Sequence, residues 1–368
     1  MEIEIRLRHL LEELQRDRRG VLNQIAAETG LHRHTIRKLY HNQLARPSLD
    51  TLGKLCRWLE NAGVHGDRLP QALFGSRPSE LWKAVVAPKR VAIYQGAYHQ
   101  IEPTTVPGQW LSLHDADVAA KLVRELSSPV HGERPEVRLE YVPFRLRAGR
   151  SQISRTEFEE DTARARRIFG DMRSRLDRET AILICSQRVN YLVENLVADL
   201  FGCQPFATPS RPCVPFFFVY RGYDRFVPSV FGGLRHLPGQ RKTVPPGTYY
   251  LDKDRKWCPI VWKRKEMDAG VVITVRDVGT DRLTLALFGF SGYSTDALGT
   301  LLIEGADRFW PPAASTNGHL VGVYICQLRF SESRTPAGEE QVAIEQSTVI
   351  PLHRQVLREY LHRPADKT

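Results

Sequence analysis

One stretch constrains this chain more than any other: residues 22–39, LNQIAAETGLHRHTIRKL. Its spacing predicts two short helices joined by a tight turn. Ala26 stands four residues before Gly30, and Ile36 and Leu39 follow that glycine at six and nine. A small residue at 26 lets a second helix cross close by, and Gly30 takes a left-handed turn conformation at little cost. Ile25, Leu31, Ile36 and Leu39 then face one small core. The residues left outside are basic. From 32 to 46 the chain has Arg33, Arg37, Lys38 and Arg46, three histidines (His32, His34, His41) and no acid.

This is the spacing of a helix-turn-helix, whose second helix enters the DNA major groove. Arg and Lys reach guanine edges or phosphates, and Asn42 suits adenine or a phosphate. An exposed basic helix without a DNA partner is the alternative reading of the same residues. The stretch resembles the lambda-repressor and Cro (XRE) class of helix-turn-helix domains. The matching residues are Ile25-Ala26, Thr29-Gly30-Leu31, Thr35-Ile36 and Leu39. Arg46-Pro47-Ser48-Leu49-Asp50-Thr51-Leu52 follows, with Leu55, Trp58 and Leu59. The likeness runs over about residues 3–75. It departs at His32, where the family has Ser or a similar cap and His is a weaker one. The resemblance implies a DNA-facing set of His32, Arg33, His34, Thr35, Arg37, Lys38, His41, Asn42 and Arg46. It also implies double-stranded DNA as partner and a homodimer, because one short helix buries too little surface for genomic specificity.

The chain has 368 residues, which suits two or three domains. Net charge is +10; residues 1–75 hold twelve Lys/Arg and nine Asp/Glu, so the larger remainder is also basic. That suits a second polyanion contact or an anionic ligand, and equally a solvated surface. No apolar run approaches a membrane span, and MEIEIRLRHLL lacks the apolar core of a signal peptide. The expectation is a soluble cytoplasmic protein without a membrane partner. Six cysteines form no CxxC pair and have no zinc-ligand spacing. Reduced core thiols are expected at Cys56, Cys185 and Cys326, with no structural metal.

The plan read from the chain is an all-α helix-turn-helix domain of about five helices at 1–75, a linker at 76–88, an α/β domain at 89–355 and a tail at 356–368. A first helix is expected over 3–16, a fourth from Ser48 to about 61, and a short fifth over 68–74. From 81 onward strands alternate with helices. Strands are expected at 91–94 (stopping at Gln95-Gly96), 137–142, 181–185 and 216–220. Helices are expected at 116–126, 154–176 (opened by the capping box Ser154 to Glu157) and 190–201. This rhythm predicts a mostly parallel, Rossmann-like sheet. Residues 223–268 break it, as a β-hairpin insertion or an extended arm. Strands at 271–275 and 283–288 read as antiparallel neighbours. A helix over 295–309 and strands at 321–328 and 342–350 follow, and disorder is expected after Arg363.

In such sheets ligands lie beyond the carboxyl ends of strands, with phosphates at helix N-termini. Three segments qualify: one with Gln95 and Gly96, one with Ser186, Arg188 and Asn190, and one with Ser291, Gly292, Ser294 and Thr295. The third offers glycines, hydroxyls and a helix start, but has neither the Walker lysine nor GxGxxG. Ordinary turns with helix caps are the plainer reading, and Asn190 suits a cap. The domain loosely resembles Rossmann-type sensor domains joined to helix-turn-helix domains in bacterial regulators. It is also faintly similar to nucleoside-processing folds such as the nucleoside deoxyribosyltransferases. The likeness implies a pocket for a nucleotide-like or other anionic effector.

Three functions are therefore expected. The first is a DNA-binding transcription regulator, such as a repressor, with a ligand-sensing and dimerisation domain. The second is a nucleotide- or nucleoside-processing enzyme with a DNA-binding head, using Glu194 as nucleophile or base and Asn190 and Ser291 to position substrate. The third gives the basic arm 235–265 a second nucleic-acid surface, with Trp257 and Trp262 beside Lys253, Arg255, Lys256, Lys263 and Arg264. A twisted β-ribbon with core tryptophans and solvated charges is the competing reading of that arm.

Overall fold

Residues 2–5 read Glu-Ile-Glu-Ile, and an alternation of period two belongs to a strand. In the computed structural model the chain opens on β1 (Ile3–Ile5), paired antiparallel with β2 (Phe74–Ser76). The residues described are all except 1, 2, 6, 15–19, 42, 45, 46, 65–72, 77, 78, 101–108, 129–133, 147–153, 177, 185–189, 209, 222–227, 313, 317, 335–339 and 362–368. Asn42, Arg46, Cys185, Ser186, Arg188, most of the expected fifth helix and the end of the tail lie outside them.

The chain forms two compact units, Met1–Pro78 and Ser79–Thr368. In the first, the helix expected over 3–16 is shorter: α1 spans Leu7–Glu13. α2 (Val21–Thr29), α3 (Arg33–Tyr40) and α4 (Leu49–Asn61) follow. Gly30 joins α2 to α3 at φ 67, as its position predicts. Leu7, Leu11, Ile25, Ile36, Leu39, Leu55, Leu59 and Leu73 are wholly buried together. The unit is therefore not all-α, because β1 and β2 clasp its two ends.

The second unit starts with α5 (Glu80–Val86), where a linker is expected. Ser79 caps it by accepting from the Trp82 N–H at 3.1 Å, and Leu81, Trp82 and Val85 are buried at helical spacing. Then come β3 (Arg90–Gln100), β4 (Gln109–Leu111), α6 (Leu113–Leu126), β5 (Glu136–Leu146), α7 (Arg155–Arg175), β6 (Thr180–Ile184) and α8 (Tyr191–Leu200). β7 (Phe216–Tyr220), β8 (Gly232–Leu234), β9 (Gly247–Leu251) and β10 (Trp257–Val261) make a separate four-stranded sheet, ordered β10-β9-β7-β8. The chain continues through β11 (Met267–Asp277), β12 (Leu283–Gly289), α9 (Gly292–Gly305), a 3-10 turn (Ala306–Phe309), β13 (Ala314–Thr316), β14 (His319–Arg334), β15 (Glu340–Pro351) and α10 (Arg354–Leu361).

The main sheet has nine strands and is mixed. β5, β3, β6 and β12 are parallel neighbours, but β11, β14 and β15 continue the sheet antiparallel. The expected mostly parallel sheet thus covers only one half. The reason is connection length: only residues 278–282 separate β11 from β12 and only 335–339 separate β14 from β15, too few for the crossover that parallel neighbours need. The strand expected at 216–220 forms as β7, but it belongs to the small sheet. β6 is buried along its whole length. Its Ala181 and Leu183 face α7, α8 and the small sheet, while Ile182 and Ile184 face α5, α6 and α9. α10 replaces the expected tail and buries Val356, Leu357, Tyr360 and Leu361. Among the described residues no helix is long and apolar enough to cross a membrane.

Gly30 is surrounded by open space, so a side chain there is opposed by backbone conformation alone. Gly30→Ala is expected to lower the stability of the first unit by about 1 kcal/mol, and Gly30→Asn by less. Urea unfolding of the two variants checks this.

Candidate nucleic-acid interface

α3 is amphipathic over only eight residues. Ile36 and Leu39 enter the core beside Ile25, which leaves the other side of the helix outward. Arg33, His34 and Arg37 are exposed there, with Thr35 and Lys38 half-buried. Arg33 and Arg37 stand one turn apart, on neighbouring positions of the helix surface. His32 and His41 are exposed at its two ends. The structure thus brings seven of the nine expected DNA-facing residues to one short helix, and the other two fall outside the described residues. Neither Arg33, Arg37 nor Lys38 makes an ion pair among the described residues.

The turn before α3 is held from within. Leu31 N–H donates to Thr29 Oγ1 at 3.3 Å, and Thr29 Oγ1 donates to the Ile25 carbonyl at 2.6 Å. His32 does cap the helix: its Nδ1 accepts from the His34 N–H at 3.2 Å. The one acid of this region, Glu28, accepts from Trp58 Nε1 at 2.6 Å and from Gln24 Nε2 at 2.8 Å. That carboxylate ties α2 to α4.

The segments expected to hold a ligand are arranged differently. β3 does not stop at Gln95. Gln95 and Gly96 are buried mid-strand, opposite Tyr141 and Val142 of β5. Asn190 is wholly buried and caps α8, accepting from the Leu192 N–H at 3.1 Å. Its Nδ2 donates to the Ile184 and Tyr94 carbonyls at 2.8 and 3.1 Å, which clamps β6 to β3.

At the start of α9 the hydroxyls are already paired. Ser291 Oγ donates to Asp268, Ser294 Oγ donates to the Ser291 carbonyl at 2.9 Å, and Thr295 Oγ1 accepts from the Gly289 N–H at 3.1 Å. A Cβ on Gly292 would collide with His114, and one on Gly289 with Ser294. Both glycines serve internal packing. Asp268, which sequence reading missed, is 3% exposed. Burial pushes its pKa up to about 7, although Ser291, Ala269 N–H and Ser294 pull the other way. A carboxyl group therefore stands where a phosphate was expected.

Glu194 lies one turn beyond Asn190 but serves other partners. Its carboxylate accepts from Ser229 Oγ at 2.7 Å, Val230 N–H at 2.8 Å and Phe206 N–H at 2.9 Å. It is wholly buried, and burial lifts its pKa to about 7 against the pull of those three donors. Glu194 and Asn190 are two internal ties rather than one constellation.

The two raised carboxyls set a pH dependence. Each binds its proton more tightly folded than unfolded, so their stabilisation is complete below the ordinary carboxyl range and is lost as pH rises to about 7. Melting of the second unit is expected to weaken between about pH 4.5 and 7 and then level off. Glu194→Gln should flatten that slope, by on the order of 3 kcal/mol at most. Equal slopes for both proteins in thermal melts would contradict this origin.

No curated protein and no solved structure matches the chain at a significant level. Residues 9–60, from α1 to the end of α4, match the model of the Cro/C1-type helix-turn-helix DNA-binding domain.

Proposed function

We propose that this chain is a sequence-specific transcription regulator. It binds double-stranded DNA as a homodimer, with α3 of each copy in the major groove. The observation that carries this reading is the pair Arg33 and Arg37, exposed and without an ion pair among the described residues, on the outer side of a helix whose inner side is locked into a Cro/C1-type core. Arg presents a fork of donors to guanine O6 and N7, and lysine beside it suits phosphate. One helix of this length reads few base pairs, so two copies on a two-fold operator supply the specificity. The second unit then provides self-association and answers to an anionic, nucleotide-like effector. Such an effector changes DNA affinity only by binding one conformation better than the other.

The test is recovery of genomic DNA bound to the full chain, followed by affinity measurements on the enriched site. A short two-fold sequence is expected. Arg37→Ala should weaken binding to that site by about 1–3 kcal/mol while leaving binding to unrelated duplex nearly unchanged. The mass of the complex should correspond to two copies. Denaturing the purified protein and weighing what it releases tests the effector. Failure to enrich any sequence would overturn the regulator reading, and a single copy per site would overturn the homodimer.

A further inference from the structure

The positive charge of the second unit is concentrated in one place. Residues 221–265 carry eleven Lys/Arg against three Asp/Glu, a net +8 within a chain of +10. The topology of the small sheet sorts these cations further. β8 runs parallel to β7, β9 antiparallel to β7, and β10 antiparallel to β9. The carboxyl ends of β7, β8 and β10 therefore lie together with the start of β9. Arg221 follows β7, Arg235 follows β8, and Lys263 and Arg264 follow β10. Val244 N–H donates to the Arg235 carbonyl at 2.9 Å, which brings Arg241 and Lys242 to the same end.

Arg235, Arg241, Lys242, Lys263 and Arg264 are all exposed. Lys263 has Glu266 at 4.0 Å; the other four make no ion pair among the described residues. Arg221 lies over the ring of half-buried Trp262, 4.2 Å from its centroid. Trp262 rests on Phe290 at 6.0 Å, and Phe290 stacks on Tyr220 at 5.3 Å. That aromatic column holds the guanidinium at the rim of the sheet. Arg235 keeps its place in a left-handed conformation, at φ 57.

The opposite end of the same sheet is different. At the β9–β10 turn, Lys253, Arg255 and Lys256 are interleaved with Asp252 and Asp254, and Arg255 pairs with Glu359 at 2.5 Å. Charge there is largely balanced. Unpaired cations crowded on one end repel one another and weaken folding unless an anion is brought to them.

We propose that the carboxyl end of the small sheet is a second nucleic-acid contact, in which Arg235, Lys263, Arg264 and Lys242 hold successive phosphates of a duplex backbone. The contact reads no bases, and Trp262 acts in it by positioning Arg221. It stands on the second unit alone and does not depend on what α3 recognises.

The test uses the full chain and a fluorescent duplex of arbitrary sequence, titrated at several salt concentrations. The variant Arg235→Glu/Lys263→Glu/Arg264→Glu is compared with Lys253→Glu/Arg255→Glu/Lys256→Glu, which makes the same charge change at the other end. The first should reduce the slope of log K against log salt by about 3 and weaken binding roughly tenfold or more, whatever the sequence. The second should leave the slope within about 1 of the parent. Equal slopes in both variants, or no change in the first, would overturn the proposal. Arg33→Ala/Arg37→Ala separates it from the regulator reading: that variant should lose preference for the enriched site while keeping the share of the slope that the basic end supplies. All of these side chains are exposed, and matching thermal melts confirm that each variant is folded.

Discussion

The Glu194 carboxylate is a buried polar tie between the two sheets of the larger unit. Glu194 sits on α8, which packs on the main sheet, and it accepts hydrogen bonds from the turn at Phe206 and from Ser229 and Val230 at the entry to β8. Removing it would leave three donors buried without an acceptor, which costs more than the bonds themselves return. Around this tie the two sheets are filled with aromatic rings. Phe231 and Phe288 each lie within 6.1 Å of both Phe216 and Phe218, and 5.3 Å from each other, in tilted or edge-on pairs. Such pairs keep rings interlocked rather than sliding. The direction in which the small sheet presents its basic end follows from that joint.

Both outer strands of the main sheet carry features that discourage strand addition. Glu136 N–H donates inward to the Lys89 carbonyl, so Pro143, an odd number of residues along β5, meets the edge where a missing N–H costs no ladder bond. β15 slips register against β14 between Arg329 and Phe330. A bulge of that kind bends an edge and interrupts its row of free donors and acceptors. Leu139 and Tyr141 remain exposed on β5, beside fully covered neighbours on β3.

The helix-turn-helix was legible because its signal is local. Ala26, Gly30, Ile36 and Leu39 fall at spacings set by helix geometry and one turn, and no distant residue is needed to interpret them. β1 was not legible: its brief alternation runs into the helical spacing of Ile5, Leu7, Leu10, Leu11 and Leu14, and the partner strand lies about seventy residues away. Pro78 and Ser79 read as linker, yet Ser79 is an N-cap and marks the start of α5. The glycines at 289 and 292 do signal close approach. What approaches them is Ser294 and His114, side chains whose proximity no spacing rule reveals. Glu194 stood out only as an acid one turn from Asn190, because the partners that explain it arrive from 12 to 36 residues further on. Asp268 closed the expected insertion at 223–268 and drew no notice, because Ser291, which donates to it, lies 23 residues further on.

The clasp of β1 with β2 makes the first unit a closed loop. Chain entry and chain exit are neighbouring strands, about 4.8 Å apart. The 52-residue span that carries the family likeness lies inside that loop and includes neither strand. It is thus the helical part of a larger cassette rather than a free-standing one. A cassette whose ends meet can be lifted out of one chain and set into a surface loop of another without prying that loop open.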